Sequence, residues 1–144
     1  CSPYLYVNAW VPEQQVPPIV DYFNKEKKAK KYFLIGSDYA FGRGMLSFTK
    51  NYIEKTGGKV VGEEYLPMDG SDWTSIISKL KSSGADALIT STAGGAPNVT
   101  LTKQLRAAGE AVEVDPERYA MGRFASLRDP EGNGIQLWQP MGPS

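Results

Sequence analysis

Two short runs hold the side chains and backbone best suited to contacting a small molecule. The first, GSDYAFGR over positions 36–43, follows an apolar run and sets Tyr39 and Phe41 two apart. A phenol offers a flat apolar wall and a hydrogen-bonding tip, so Tyr39 and Phe41 could line a pocket, with Ser37 beside them. The second run, STAGGAPN over 91–98, carries Thr92, Gly94 and Gly95 ahead of Pro97. Glycines leave backbone amides accessible, and Pro97 suits the first turn of a helix whose amino end favours anions. The run lacks a Gly-Lys-Ser/Thr ending, so it is not a nucleotide P-loop. Ser37, Tyr39, Phe41, Thr92, Gly94 and Gly95 are therefore the candidate ligand-binding residues.

Catalytic and metal chemistry find little support. The 144 residues include no histidine and one cysteine. That removes His-based triads, His-rich zinc sites and an internal disulfide. Glu63, Glu64, Asp69 and Asp72 form the densest acidic group, but their positions at a strand end and a helix start point to solvation and capping. No catalytic residue, metal ligand or cofactor is expected, and the chain is not read as an enzyme. Sixteen basic residues balance sixteen acidic ones, which argues against a nucleic-acid footprint. The basic run of Lys25, Lys27, Lys28, Lys30 and Lys31 reads as a solvated helix terminus. No apolar stretch approaches the roughly 18 residues that would cross a bilayer. The chain opens on Cys1 without the pattern of a signal peptide, and its localisation is left undetermined. Asn98-Val99-Thr100 is a glycosylation sequon only in a eukaryotic secretory setting.

The elements around these runs alternate. Val16, Ile19, Val20 and Phe23 share one helical face after Pro12, and Pro17-Pro18 predict that the regular helix starts there. Lys31–Gly36 reads as a buried strand. Asp38 or Ser37 can cap a helix carrying Met45, Phe48, Tyr52 and Ile53, which stops at Gly57-Gly58. Val60–Leu66 is a second strand. Ser71 or Asp72 caps a helix with Trp73, Ile76, Ile77 and Leu80 on one face, ended by Gly84. Asp86–Ser91 is a third strand, and a further helix runs to Ala108 before Gly109.

Strand–helix repetition with short links predicts an α/β fold, a three-layer flavodoxin-like half-lobe with a mostly parallel sheet. The expected order is 2-1-3-4, with Ala111–Val114 as the fourth strand beside the third. Phe124–Arg128 and Ile135–Gln139 flank the turn Asp129-Pro130-Glu131-Gly132-Asn133 and predict a C-terminal antiparallel β-hairpin at the sheet edge. Residues 1–144 are read as a single domain.

Residues 1–108 resemble one lobe of the type I periplasmic solute-binding proteins of ABC importers, in the amide, urea and branched-chain amino-acid group. The stretches CSPYLYVNAWVPEQQ, KKYFLIGSDYAFGR, GGKVVGEEYLPMDGSDWTSIISKLKSSGADALITST and NVTLTKQLRAAG carry the likeness. It implies a ligand held between two lobes, walled by aromatics matching Tyr39 and Phe41. Amide and urea binders often carry an acid on the second loop, where this chain has Ala96, which counts against those two ligands.

Residues 107–140 resemble the C-terminal strands of the glyoxalase/bleomycin-resistance/dioxygenase fold, through AAGEAVEV and YAMGRFASLRDPEGNGIQLWQP. Gln136 stands where many metal-dependent members have a glutamate ligand, and a neutral amide is a poor replacement. The two likenesses together imply a chimera joined near Gly109, in which residues 1–108 and 109–144 form one non-catalytic domain. Its expected partners are at most a small amide, an amino acid or an anion, bound weakly; a fragment of a working importer-binding protein is the first alternative and a glyoxalase-like metalloenzyme the second. Apolar residues freed by the missing lobe, Tyr4, Tyr6, Trp10, Phe124 and Trp138, predict a homodimer, with exchange of β segments as one route.

Overall fold

A computed structural model describes residues 11–109, 111–119, 122–128 and 134–140, with side chains described over 11–109. Ten elements follow one another: α1 (Pro12–Lys25), β1 (Lys31–Asp38), α2 (Ala40–Lys55), β2 (Lys59–Pro67), α3 (Thr74–Ser83), β3 (Ala87–Ser91), α4 (Ala96–Ala107), β4 (Ala111–Tyr119), β5 (Gly122–Arg128) and β6 (Gly134–Pro140).

The four consecutive apolar residues Tyr32, Phe33, Leu34 and Ile35 make β1 the central strand, each at most 2% exposed. Strands of a parallel sheet covered on both faces need such runs. β1 pairs in parallel with β2 on one side and β3 on the other, giving the order β2-β1-β3. The pleat of β1 divides its side chains between two cores. Phe33 and Ile35 join Trp73, Ile76, Ile77, Leu88, Leu101 and Leu105 beneath α3 and α4. Tyr32 and Leu34 join Val16, Val20, Phe23, Met45, Leu46 and Ile53 beneath α1 and α2. Helices thus cover both faces, as the α/β reading requires.

Local expectations were met unevenly. Helix α1 begins at Pro12, not at Pro17-Pro18, and it carries both prolines inside it. Pro17 and Pro18 deprive the carbonyls of Glu13 and Gln14 of helical donors, but both residues are exposed, so water can take their place. Pro12 at the first position has no amide to lose. The lysine run behaves as a terminus: α1 ends at Lys25, and β1 starts at Lys31. Gly84 closes α3 in the left-handed region with φ of 64°.

Neither Ser37 nor Asp38 caps α2, whose N-cap is Tyr39 without a side-chain cap bond. Trp73 is the N-cap of α3, yet Asp72 still satisfies its start by accepting from Thr74 N at 3.0 Å and Thr74 Oγ1 at 2.6 Å. Those bonds, the hydroxyl's first, hold the Asp72 carboxyl below its ordinary 3.8. A depressed carboxyl contributes stability above its unfolded value and loses it as pH falls through the folded one. Asp72→Asn keeps an acceptor that does not titrate. Its urea midpoint should therefore fall less steeply than the wild type's below about pH 4; parallel acid limbs would refute the assignment.

The fourth strand is a correction. β4 does not extend the parallel sheet; it pairs antiparallel with β5, which pairs antiparallel with β6, in a separate sheet of order β4-β5-β6. Pro116 supplies a physical reason. Proline cannot donate to a ladder and is confined to edges and irregularities. β4 lies at an edge, and its register shifts between Val114 and Arg118, around Pro116. The predicted hairpin strands do pair, with Phe124 opposite Trp138 and Ser126 opposite Gln136. The turn Asp129–Asn133 and the N-terminal Tyr4, Tyr6 and Trp10 lie outside the described residues, as does Cys1.

Candidate functional site

β1 and β3 are neighbours, with Gly36 opposite Ser91, so the loops leaving their carboxyl ends start side by side. They then diverge. α2 packs on one face of the sheet through Met45, Leu46 and Ile53, and α4 on the other through Leu101 and Leu105. This is the point where strand order reverses, and open α/β sheets bind ligands in the crevice that such divergence opens. Both candidate runs lie there.

On the first loop, Tyr39 is half-buried and Phe41 is 52% exposed. Their rings lie 6.1 Å apart between centroids and are tilted by 35°. An exposed aromatic beside a half-buried one forms an apolar wall with one face open to solvent. The extended backbone of Tyr39, at φ −152° and ψ 168°, turns the chain from β1 into α2. Behind it, Gly42 lets the helix settle onto the strand ends: a Cβ there would lie 2.4 Å from Ser37 O and 3.2 Å from Ser91 O.

Ser37 has a different place from the one expected. It is fully buried, and its Oγ accepts from Ala93 N at 2.9 Å. It therefore faces the second loop. Thr92 Oγ1 donates to Asn98 Oδ1, folding the second loop onto the first turn of α4. Gly94 and Gly95 are exposed, and Gly95 is the N-cap of α4 with φ of 85° and ψ of −136°, a conformation open to glycine. Ala96 is exposed at the start of α4, so no carboxylate stands at the position where amide and urea binders were expected to have one. The structure thus brings Tyr39 and Phe41 together and places Gly94 and Gly95 at the neighbouring strand's end. Ser37 and Thr92 are engaged in bonds within and between the loops.

A network unseen in the sequence braces the first loop on its other side. Arg43 Nε donates to Asp38 Oδ1, and the guanidinium lies 4.3 Å from the centroid of the Tyr65 ring. Tyr65 donates to Glu63 Oε1 at 2.8 Å, and Lys50 donates to Glu63 Oε2 at 3.0 Å. Burial pushes the Tyr65 phenol up, reinforced by Glu63, to about 12. Asp38 is held below its ordinary value by the Arg43 hydrogen bond. The acidic group is thereby dispersed: Glu63 pairs toward α2, Glu64 pairs with Lys79 of α3 at 2.8 Å, and Asp72 accepts from Thr74 at the start of α3. Among the described residues no group of three or more acids, cysteines or histidines could hold a metal ion, and no helix is long and apolar enough to cross a membrane.

The profile of the family described as periplasmic binding protein matches residues 1–131. The chain belongs to this family, and the match passes Gly109, where the sequence suggested a join. The Leu/Ile/Val-binding protein homolog 3 of Brucella melitensis biotype 1 is 33% identical over 98 residues, 67% of this chain and 26% of that protein. An ABC-transporter solute-binding protein of R. palustris, solved with 4-hydroxybenzoate, is 30% identical with a TM-score of 0.65, over 75% of this chain and 29% of the other. A branched-chain amino-acid ABC-transporter periplasmic ligand-binding protein of Burkholderia xenovorans LB400 is 33% identical with a TM-score of 0.56, over 63% and 24%. The chain spans about a quarter of the length of the curated relative it matches. Both solved relatives are described as binding proteins of ABC transporters.

Proposed function

We propose that this chain is part of one ligand-binding lobe of an ABC-importer solute-binding protein. It contributes a wall of the site through the loops after β1 and β3. The observation that carries the reading is the Tyr39–Phe41 ring pair, on a loop that starts next to the one bearing Gly94 and Gly95, where the strand order reverses. The relatives were named or solved with branched-chain amino acids and aromatic acids. Between these, the ring pair favours a planar aromatic acid. An amino acid brings an ammonium group, and the loop from Ser91 to Asn98 has no acidic side chain to receive it.

A single lobe covers a solute on one side, so affinity should fall in the millimolar range, against about 8 kcal/mol for a micromolar site. Titrating the isotope-labelled chain with 4-hydroxybenzoate and, separately, leucine should shift the amides of Tyr39, Phe41, Gly94 and Gly95 with the aromatic acid first. Shifts confined to other regions, or none with the ligand at about ten times a millimolar dissociation constant, would refute the reading.

A second reading takes residues 109–144 as a graft within one chimeric domain, completing the lobe without adding chemistry. The separate antiparallel sheet β4-β5-β6 and the glyoxalase-like run favour it; the family match through residue 131 weighs against it. Homodimer formation belongs to this reading, with exposed Ile19, Tyr22 and Phe41 as apolar surface to cover.

A further inference from the structure

We infer that Ser37 is a positioning residue that fastens the β3–α4 loop to the end of β1, holding Ala93–Gly95 beside the Tyr39–Phe41 wall. The inference rests on the two loops forming the solute site. A serine fully buried at a strand's carboxyl end needs a partner, since an unmet buried hydroxyl is costly. Ser37 finds that partner 56 positions away, in the Ala93 amide at 2.9 Å. β3 ends at Ser91, so the ladder of β1 with β3, whose last pair is Gly36 and Ser91, stops short of Ala93. Beyond that pair, Ser37 Oγ replaces the ladder with one side-chain bond.

The surroundings make this bond directional. Gly42 brings α2 down onto the carbonyls of Ser37 and Ser91 together, so the backbone on both sides of the bond is held. On either side of Ala93 along the chain, Thr92 is tied to Asn98 and Gly95 turns into α4. Ala93 therefore lies between two anchored points, and its amide is the link through which β1 sets the distance between the glycines and the aromatic wall. Freed from Ser37, the glycine-containing segment has the conformational latitude to drift from the wall.

The test compares the wild-type chain with Ser37→Ala and Ser37→Cys. Amide exchange at Ala93 should be about five- to tenfold faster in Ser37→Ala, as loss of one hydrogen bond predicts, while Leu34 and Ile35 exchange unchanged. The weaker sulfur acceptor of Ser37→Cys should give an intermediate rate. In the same order, binding of 4-hydroxybenzoate should weaken, by about fivefold for the alanine variant. An Ala93 rate that does not respond would overturn the fastening. A faster Ala93 amide with unchanged affinity would overturn the positioning role. Failure of the wild-type chain to bind the probe would remove the solute reading and the positioning role with it. The exchange comparison would still decide whether Ser37 holds the loop, so the two failures are distinguishable.

Discussion

Trp73→Ala is expected to cost about 3–5 kcal/mol, the range for emptying a buried aromatic site. Trp73 is fully buried at the start of α3, packed among Phe33, Ile35, Ile76, Ile77, Leu88, Leu101 and Leu105. It is also a polar junction. Its indole Nε1 donates to Pro97 O at 3.1 Å, and its backbone N donates to Gln104 Oε1 at 2.7 Å. The indole bond ties α3 to the first turn of α4, directly behind the Gly94-Gly95 loop. Alanine would leave a cavity and remove the indole donor from the Pro97 carbonyl, which keeps Thr100 Oγ1 at 3.1 Å. Domains of this kind have about 5–15 kcal/mol in all, so the variant should sit close to the unfolding threshold. Trp73→Phe, which keeps most of the ring but not the N–H, should lose less than half as much. Urea unfolding followed by far-ultraviolet circular dichroism would measure both. A loss of about 1 kcal/mol or less for the alanine variant would mean that α3 and α4 do not share one core.

Gly42→Ala should destabilise the protein by about 2 kcal/mol, even though alanine is the better helix former. The added Cβ would stand 2.4 Å from Ser37 O and 3.2 Å from Ser91 O, and backbone carbonyls cannot step aside as side chains do. To admit it, α2 must lift from the ends of β1 and β3. The Tyr39–Phe41 wall would move with it, so solute binding should weaken along with stability. Gly44, two residues on in the same helix, is the control. A Cβ there meets nothing within 4 Å. Gly44→Ala should therefore stabilise by up to about 1 kcal/mol, the helix-propensity gain alone. Opposite signs in the thermal midpoints of the two variants are the expected result. Equal effects would show that α2 does not rest on the strand ends.

The framework of the lobe was legible because its signals are local. Four consecutive apolar residues in β1 could only be buried on both faces. Ile76, Ile77 and Leu80 after Trp73 follow a helical period, and Gly84 and Gly109 stand where helices stop, with φ of 64° and 90°. Tyr39, Phe41, Gly94 and Gly95 could be placed at one end of the sheet from strand order alone. The resemblance of residues 1–108 to solute-binding proteins rested on the same segments and agrees with the family match.

What eluded the sequence depended on exposure and on partners chosen by packing rather than by local pattern. Pro17 and Pro18 look like a helix start until the exposure of Glu13 and Gln14 shows that water can satisfy the carbonyls they orphan. Asp38 reads as a cap, but Arg43, held over Tyr65, takes its carboxylate. β4 reads as a parallel neighbour of β3, yet pairs with β5, with Pro116 at its irregular stretch. Ser37 reads as a ligand contact, and its acceptor is taken by Ala93 across 56 positions. Periodicity and turn chemistry specify which segments become helices and strands, because those preferences act within a few residues. Which polar group meets which, and how closely two backbones approach, is set by the packing of segments brought together only in three dimensions. Such pairings leave no periodic trace in the chain, and they decided how this site is held.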